Sequence, residues 1–161
     1  MKVQYVMTRD VVSCQTDADL GTAARLMLQG GFGTLPVVDR HGKMAGIITD
    51  RDMAMAAATR QRNASHIGVH EAMSPHVHAC STLDDVGVAL TQMQEARVRR
   101  LPVLDGSGHL AGILSIDDIV VRAVGEKDGI TPADFVAAMR LMCSRPSVEP
   151  DVDLSDTLTA G

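Results

Sequence analysis

Residues 34–53 read TLPVVDRHGKMAGIITDRDM, and residues 100–119 read RLPVLDGSGHLAGILSIDDI. Both stretches run in one order: an apolar run, a turn of Asp and Gly, a second apolar run, then a hydroxyl residue followed three places later by Asp. Working outward, residues 6–53 align with residues 72–119 at a constant offset of 66, with no gap. Met7 meets Met73, Cys14 meets Cys80, Thr16 meets Thr82, Asp19 meets Asp85 and Gly21 meets Gly87. Roughly a third of the aligned positions are identical. Two copies are too few for a solenoid, in which three or more units stack. The duplication predicts a pseudo-twofold pair in which each half hides the apolar face of the other.

Each copy reads as strand, helix, strand, strand, helix. Val11-Val12 is a short strand. Asp17 to Gln29 carries Leu20, Ala23, Ala24, Met27 and Leu28 at helical spacing. Thr16 is its expected N-cap, with Asp19 as the capping-box acid, and Gly30-Gly31 closes it. Leu35 to Val38 and Met44 to Ile48 form a hairpin about the turn Asp39 to Gly42. Asp50 to Ala58 is the second helix. The second copy repeats this order through Val77, Asp84 to Glu95, Leu101 to Leu104, Leu110 to Leu114 and Asp117 to Val124. The predicted fold class is therefore α/β (α+β). Repeat 1 spans 3–58, a polar linker 59–70, and repeat 2 71–124. A C-terminal segment, 125–161, holds a helix opened by Thr131-Pro132, with Phe135, Ala138, Met139 and Met142 on one face. From Ser144 onward it reads as a mobile tail.

Composition narrows the function. The chain has 161 residues, 45% of them apolar, and a net charge of −5. Its aromatics are Tyr5, Phe32 and Phe135, with no Trp. Nucleic-acid binders carry basic faces and stacking aromatics, so a nucleic-acid role through Arg97, Arg99 and Arg100 is disfavoured. Cys14, Cys80 and Cys143 are an odd count without CxxC spacing, which opposes a disulfide framework or a zinc ribbon. A reducing compartment follows. The first residues lack the apolar core of a signal peptide, and no run reaches membrane-spanning length. The expected location is the cytoplasm. No GxSxG, HExxH or P-loop occurs, and no nucleophile stands beside a base, so no enzymatic activity is expected.

The order strand, helix, "LPVVD", turn, "AGIITDRD", helix, given twice, resembles a pair of CBS domains, named after cystathionine β-synthase. The resemblance covers about residues 3–124. It implies two α/β units packed about a pseudo-twofold axis, frequently paired again as a homodimer. It also implies a regulatory role without catalysis. The ligand would be an adenosine nucleotide (AMP, ADP or ATP) or S-adenosylmethionine, bound between the repeats, and the signal would pass to an unidentified partner protein.

Thr49-x-x-Asp52 and Ser115-x-x-Asp118 stand where a strand meets a helix. One reading is a capping box. The other is ribose recognition, since a carboxylate accepts from both hydroxyls of a vicinal diol, as the matching acid does in nucleotide-bound pairs of the family. The two roles can coexist, and both stand at this point. The resemblance groups Thr49 and Asp52 with Val77, His78, Val98, Arg99 and Arg100 as cleft A. It groups Ser115 and Asp118 with Val11, Val12, Phe32, Gly33 and Thr34 as cleft B. Guanidinium forks suit phosphate, so cleft A is expected to bind a phosphorylated ligand better than cleft B, which has no positive charge in this grouping.

The rival is a ligand-free interaction or stress-response protein of the same family. Metal is not expected. His66 and His70 have the i, i+4 spacing of a metal-holding helix face, with His76, His78 and Cys80 nearby, but the spacing matches no closed four-ligand pattern.

Overall fold

The computed structural model of the chain describes residues 1–144. The expected tail lies outside the described residues beyond Ser144. The elements are β1 (Cys14–Gln15), α1 (Leu20–Gly30), β2 (Thr34–Val38), β3 (Met44–Thr49), α2 (Asp50–Arg60) and α3 (Val69–Ala72). They continue with β4 (Cys80–Ser81), α4 (Val86–Ala96), β5 (Arg100–Leu104), β6 (Leu110–Ser115), α5 (Ile116–Arg122) and α6 (Pro132–Cys143). Two three-stranded sheets result, β1-β2-β3 and β4-β5-β6. In each, the short first strand runs parallel to the second, and the second and third form the antiparallel hairpin.

The sheets carry the duplication residue for residue. Leu35 pairs with Ile48 and Leu101 with Leu114, and all four side chains are fully buried. The register shifts at Val37/Val38 and again at Val103/Leu104. The two hairpin turns meet at the axis. Lys43 bridges to His109, its own counterpart, through paired bonds from Met44 N–H to the Gly108 carbonyl (3.4 Å) and from Leu110 N–H to the Gly42 carbonyl (3.3 Å). The expected pseudo-dyad passes through that contact.

The halves also exchange their leading segments. Thr8 N–H and carbonyl bond to Ile113 of β6 at 2.9 Å each, and Ser74 bonds to Ile47 of β3 at 2.9 and 3.0 Å. Val3, Val6 and Met7 therefore enter the core of repeat 2, and Ile67 and Val69 enter that of repeat 1. Each fully buried apolar side chain of this size contributes roughly 1.5–3 kcal/mol, so the exchange joins the repeats strongly.

Several sequence expectations shift. The first strands are Cys14–Gln15 and Cys80–Ser81, not Val11-Val12 and Val77, because the parallel ladder forms only where Cys14 meets Val37 and Cys80 meets Val103. Asp19, not Thr16, caps α1, accepting from the Thr22 N–H at 2.8 Å, while Thr16 lies in a turn before it. Residues 59–70 are not a plain linker: α2 runs to Arg60, a 3-10 turn covers Ala64–His66, and Ile67 and Val69 are core. Hydrophobic demand from repeat 1 sets this order, which local polarity concealed. His66 and His70 do not share a helix face, since extended Ile67 and Gly68 separate the turn from α3. Among the described residues no group of three His, Cys, Asp or Glu side chains is placed to hold a metal. No described helix is long and apolar enough to cross a membrane.

The exchange depends on two glycines. A Cβ at Gly46 would lie 2.8 Å from the Ser74 carbonyl oxygen, and one at Gly112 would lie 2.8 Å from that of Thr8. Gly46→Ala and Gly112→Ala are each expected to cost about 1–3 kcal/mol through overpacking against backbone. Gly87→Ala in α4 meets open space and should gain about 0.5–1 kcal/mol from helix propensity. Urea unfolding midpoints check both signs.

Candidate functional site

Both hydroxyl–acid pairs form the capping box. Thr49 Oγ1 accepts from the Asp52 N–H at 3.2 Å, and Asp52 Oδ2 accepts from the Thr49 N–H at 2.9 Å and the Thr49 hydroxyl at 2.7 Å. Ser115 and Asp118 repeat this at 3.1, 2.9 and 2.5 Å. Beyond the caps the two sites differ. Asp118 Oδ1 accepts from the Thr8 hydroxyl at 3.0 Å and from Arg122 Nη1 at 2.9 Å. Asp52 has Ala56 where Asp118 has Arg122, and the Thr8 counterpart, Ser74, donates to the His76 carbonyl instead. Asp52 Oδ1 has no hydrogen-bond partner among the described residues.

Cleft B contains a cavity of about 140 Å³, lined by Thr8, Asp10, Val11, Val12, Phe32, Thr34, Pro36, Arg100 and Ile113. The expected set Val11, Val12, Phe32 and Thr34 thus comes together. Gly33 lies next to it, against the Asp50 carboxylate. Asp118 reaches this wall through Thr8, and its cap partner Ser115 is buried. Thr34 opens β2, opposite Thr49, and Arg100 opens β5, opposite Ser115.

Arg100 corrects the expected charge distribution. It stands in the wall of cleft B, which the sequence grouping left without a cation. Arg99 is drawn elsewhere: its Nη2 donates to Cys143 Sγ at 3.6 Å, and Arg97 Nη1 donates to the Ser144 carbonyl at 3.4 Å. Both arginines serve the C-terminal end of α6, where free carbonyls and the helix dipole attract cations. The sequence does not reveal that docking. In cleft A, Val77 and Val98 are half-buried and His78 is exposed. Thr8, Ile113 and Arg122 were missed by the sequence reading. The i, i+4 spacing of Asp118 and Arg122 is a signal that could have found the last of them.

The cysteines divide by burial. Removal from water pushes the Cys14 thiol up to about 11 and, with help from nearby Asp84, the Cys80 thiol up to about 12. Both stay protonated at neutral pH, and thiolate is the reactive form. Cys143 is exposed. A disulfide reagent at mildly alkaline pH should titrate one thiol in the native chain and three in denaturant, and Cys143→Ser should abolish the native reaction.

Comparison with known proteins agrees with this architecture. The model of the CBS domain family matches residues 3–59 and again 69–125. A 33.4 kDa protein of the ribosomal RNA operon of Thermofilum pendens is 31% identical over 147 residues, 86% of this chain and 48% of that protein. The chain thus spans about half the length of that relative. A 17.7 kDa protein of the bps2 3′ region of Acidianus ambivalens is 31% identical over 93% of this chain and 91% of its own length. Among solved structures, the CBS domain pair of protein MJ0100, in complex with 5′-methylthioadenosine and S-adenosyl-L-methionine, superposes with a TM-score of 0.66. It is 25% identical and covers 75% of this chain and 94% of that one. With both repeats matched and their strands paired about one axis, the chain belongs to the CBS domain family, as a tandem pair.

Proposed function

We propose that this CBS pair is a regulatory module that binds an adenosine-containing ligand at cleft B and passes that information to a partner protein. The AMP, ADP and ATP class fits first, with S-adenosylmethionine as the alternative ligand. One observation carries the reading: the cavity draws its wall from both repeats, Val12, Phe32 and Thr34 from the first, Arg100 and Ile113 from the second. A ligand held by both halves binds one arrangement of them better than another, and so shifts the population between arrangements. A ligand indifferent to the arrangement would shift nothing. No residue is assigned a catalytic role.

The chemistry of the wall suits the ligand. Val12 and Phe32 offer apolar surface to a flat base. Arg100 offers a guanidinium to phosphate. The Thr8 hydroxyl on Asp118 makes the bond a ribose hydroxyl would make, so a sugar can replace it one bond for one. At about 140 Å³ the cavity is smaller than the roughly 300 Å³ at which ligand pockets begin. Binding therefore has to open the seam, which gives the ligand its leverage on the fold. Thr49, Asp52, Val77, His78 and Val98 form a second seat in cleft A, supported by the uncommitted oxygen of Asp52.

The small cavity and the occupied Asp118 carboxylate favour a second reading, a ligand-free interaction protein of the same family. Calorimetric titration separates the two. Wild type is expected to saturate with at least one of AMP, ADP and ATP. Arg100→Ala should weaken AMP by roughly 10–100-fold, the worth of a charge-assisted hydrogen bond, and leave phosphate-free 5′-methylthioadenosine nearly unchanged. Asp118→Asn should weaken both. Loss on Asp52→Asn instead moves the seat to cleft A. The absence of heat and of any melting shift with every ligand at millimolar concentration, S-adenosylmethionine included, overturns the ligand reading.

A further inference from the structure

A second cavity adjoins cleft B. It measures about 470 Å³ and shares Thr8 and Asp10 with the wall of cleft B. Gln4, Tyr5, Arg9 and Arg122 contribute the rest of its polar lining. Two segments far apart in sequence build it: Arg9 follows the leader that pairs with β6, and Arg122 ends α5. A backbone carbonyl holds each guanidinium in place. Arg9 Nη2 donates to that of Gln4 at 2.9 Å, and Arg122 Nη1 donates to that of Val6 at 2.6 Å as well as to Asp118. The other terminal nitrogens, Nη1 of Arg9 and Nη2 of Arg122, have no hydrogen-bond partner among the described residues.

The internal duplication supplies the comparison. The counterparts of Arg9 and Arg122 are Pro75 and Ala56. Tyr5 corresponds to Glu71, whose carboxylate is bound by Arg60 at 2.6 Å and by Arg62 at 3.2 Å. Both repeats keep the hydroxyl–acid cap, but only Asp118 has a pair of arginines beside it. Capping does not require Arg9, which is exposed.

We propose that this cavity is a polyphosphate subsite, through which cleft B selects a nucleoside di- or triphosphate over AMP. The inference rests on the ligand reading of cleft B. Cleft B is too small for a whole nucleotide, and the adjoining cavity receives the part that does not fit. With a ribose on Asp118 in place of the Thr8 hydroxyl, the phosphate chain leaves past Thr8, which stands in both walls. Arg100 takes the phosphate next to the sugar. Arg9 and Arg122 take those beyond it through their free N–H groups, in forks that match phosphate oxygens. Gln4 and Tyr5 supply further donors. Asp10 and Asp118 offset part of the positive charge, so an untethered anion gains little here. A chain already anchored by its nucleoside meets the arginines at high effective concentration.

Calorimetric titration of the full chain with AMP, ATP and inorganic triphosphate in magnesium-free buffer tests this. Wild type is expected to bind ATP about 10–100-fold more tightly than AMP, the worth of the added charge-assisted hydrogen bonds. Arg9→Ala should bring ATP down to near the affinity of AMP and leave AMP unchanged, whereas Arg100→Ala should weaken both nucleotides alike. Triphosphate alone should give no saturable heat; tight binding of it would make the cavity a site for free polyphosphate and overturn its link to cleft B. Equal wild-type affinities for AMP and ATP overturn the subsite and leave the ligand reading standing, as does an ATP preference that persists in Arg9→Ala. Failure of both nucleotides to bind overturns the subsite together with the nucleotide reading of cleft B.

Discussion

The exchanged backbone pairing of Thr8 with Ile113 and of Ser74 with Ile47 governs the rest of the molecule. Each leader adds to the sheet of the opposite repeat, and it can do so only because Gly46 and Gly112 present no Cβ to the incoming carbonyl. Main-chain hydrogen bonds fix the register, and apolar side chains of the same leaders then fill the opposite core. Neither repeat completes its own core without the other. The seam between them is therefore a boundary inside one cooperative structure.

That constraint sets the geometry of the candidate site. Because Thr8 lies beside β6, its hydroxyl reaches Asp118 at the start of α5, 110 residues away in sequence. Thr34 and Arg100, which open β2 and β5 at the ends of the hairpins away from the Lys43–His109 contact, share one wall. The duplication makes the two clefts equivalent in backbone, while side-chain differences make them unlike in chemistry. Arg122 and Thr8 occupy the carboxylate of Asp118, and Ala56 and Ser74 leave that of Asp52 half engaged.

The C-terminal helix breaks the pseudo-symmetry further. It turns the outer face of repeat 2 into core and takes Arg97 and Arg99 to its own carbonyl end. Of three basic residues within four positions, Arg97 and Arg99 reach the end of α6, while Arg100 lines the seam cavity and also shares a pocket with Arg99, Asp117 and Met139.

The sequence by itself determined the duplication, its offset, the hairpins, the capping boxes at Thr49 and Ser115 and the membership of a paired family. These are local or periodic features, and each is stabilised by residues close in the chain. It did not determine where Asp19 rather than Thr16 starts a helix, that residues 59–70 supply core, or which cleft receives Arg100. Those were decided by tertiary structure. The reason is that a cap is chosen by where the helix docks, a polar-looking segment is buried when a distant core needs Ile67 and Val69, and the surroundings of an arginine side chain are set by which elements pack beside its strand, here the seam and α6.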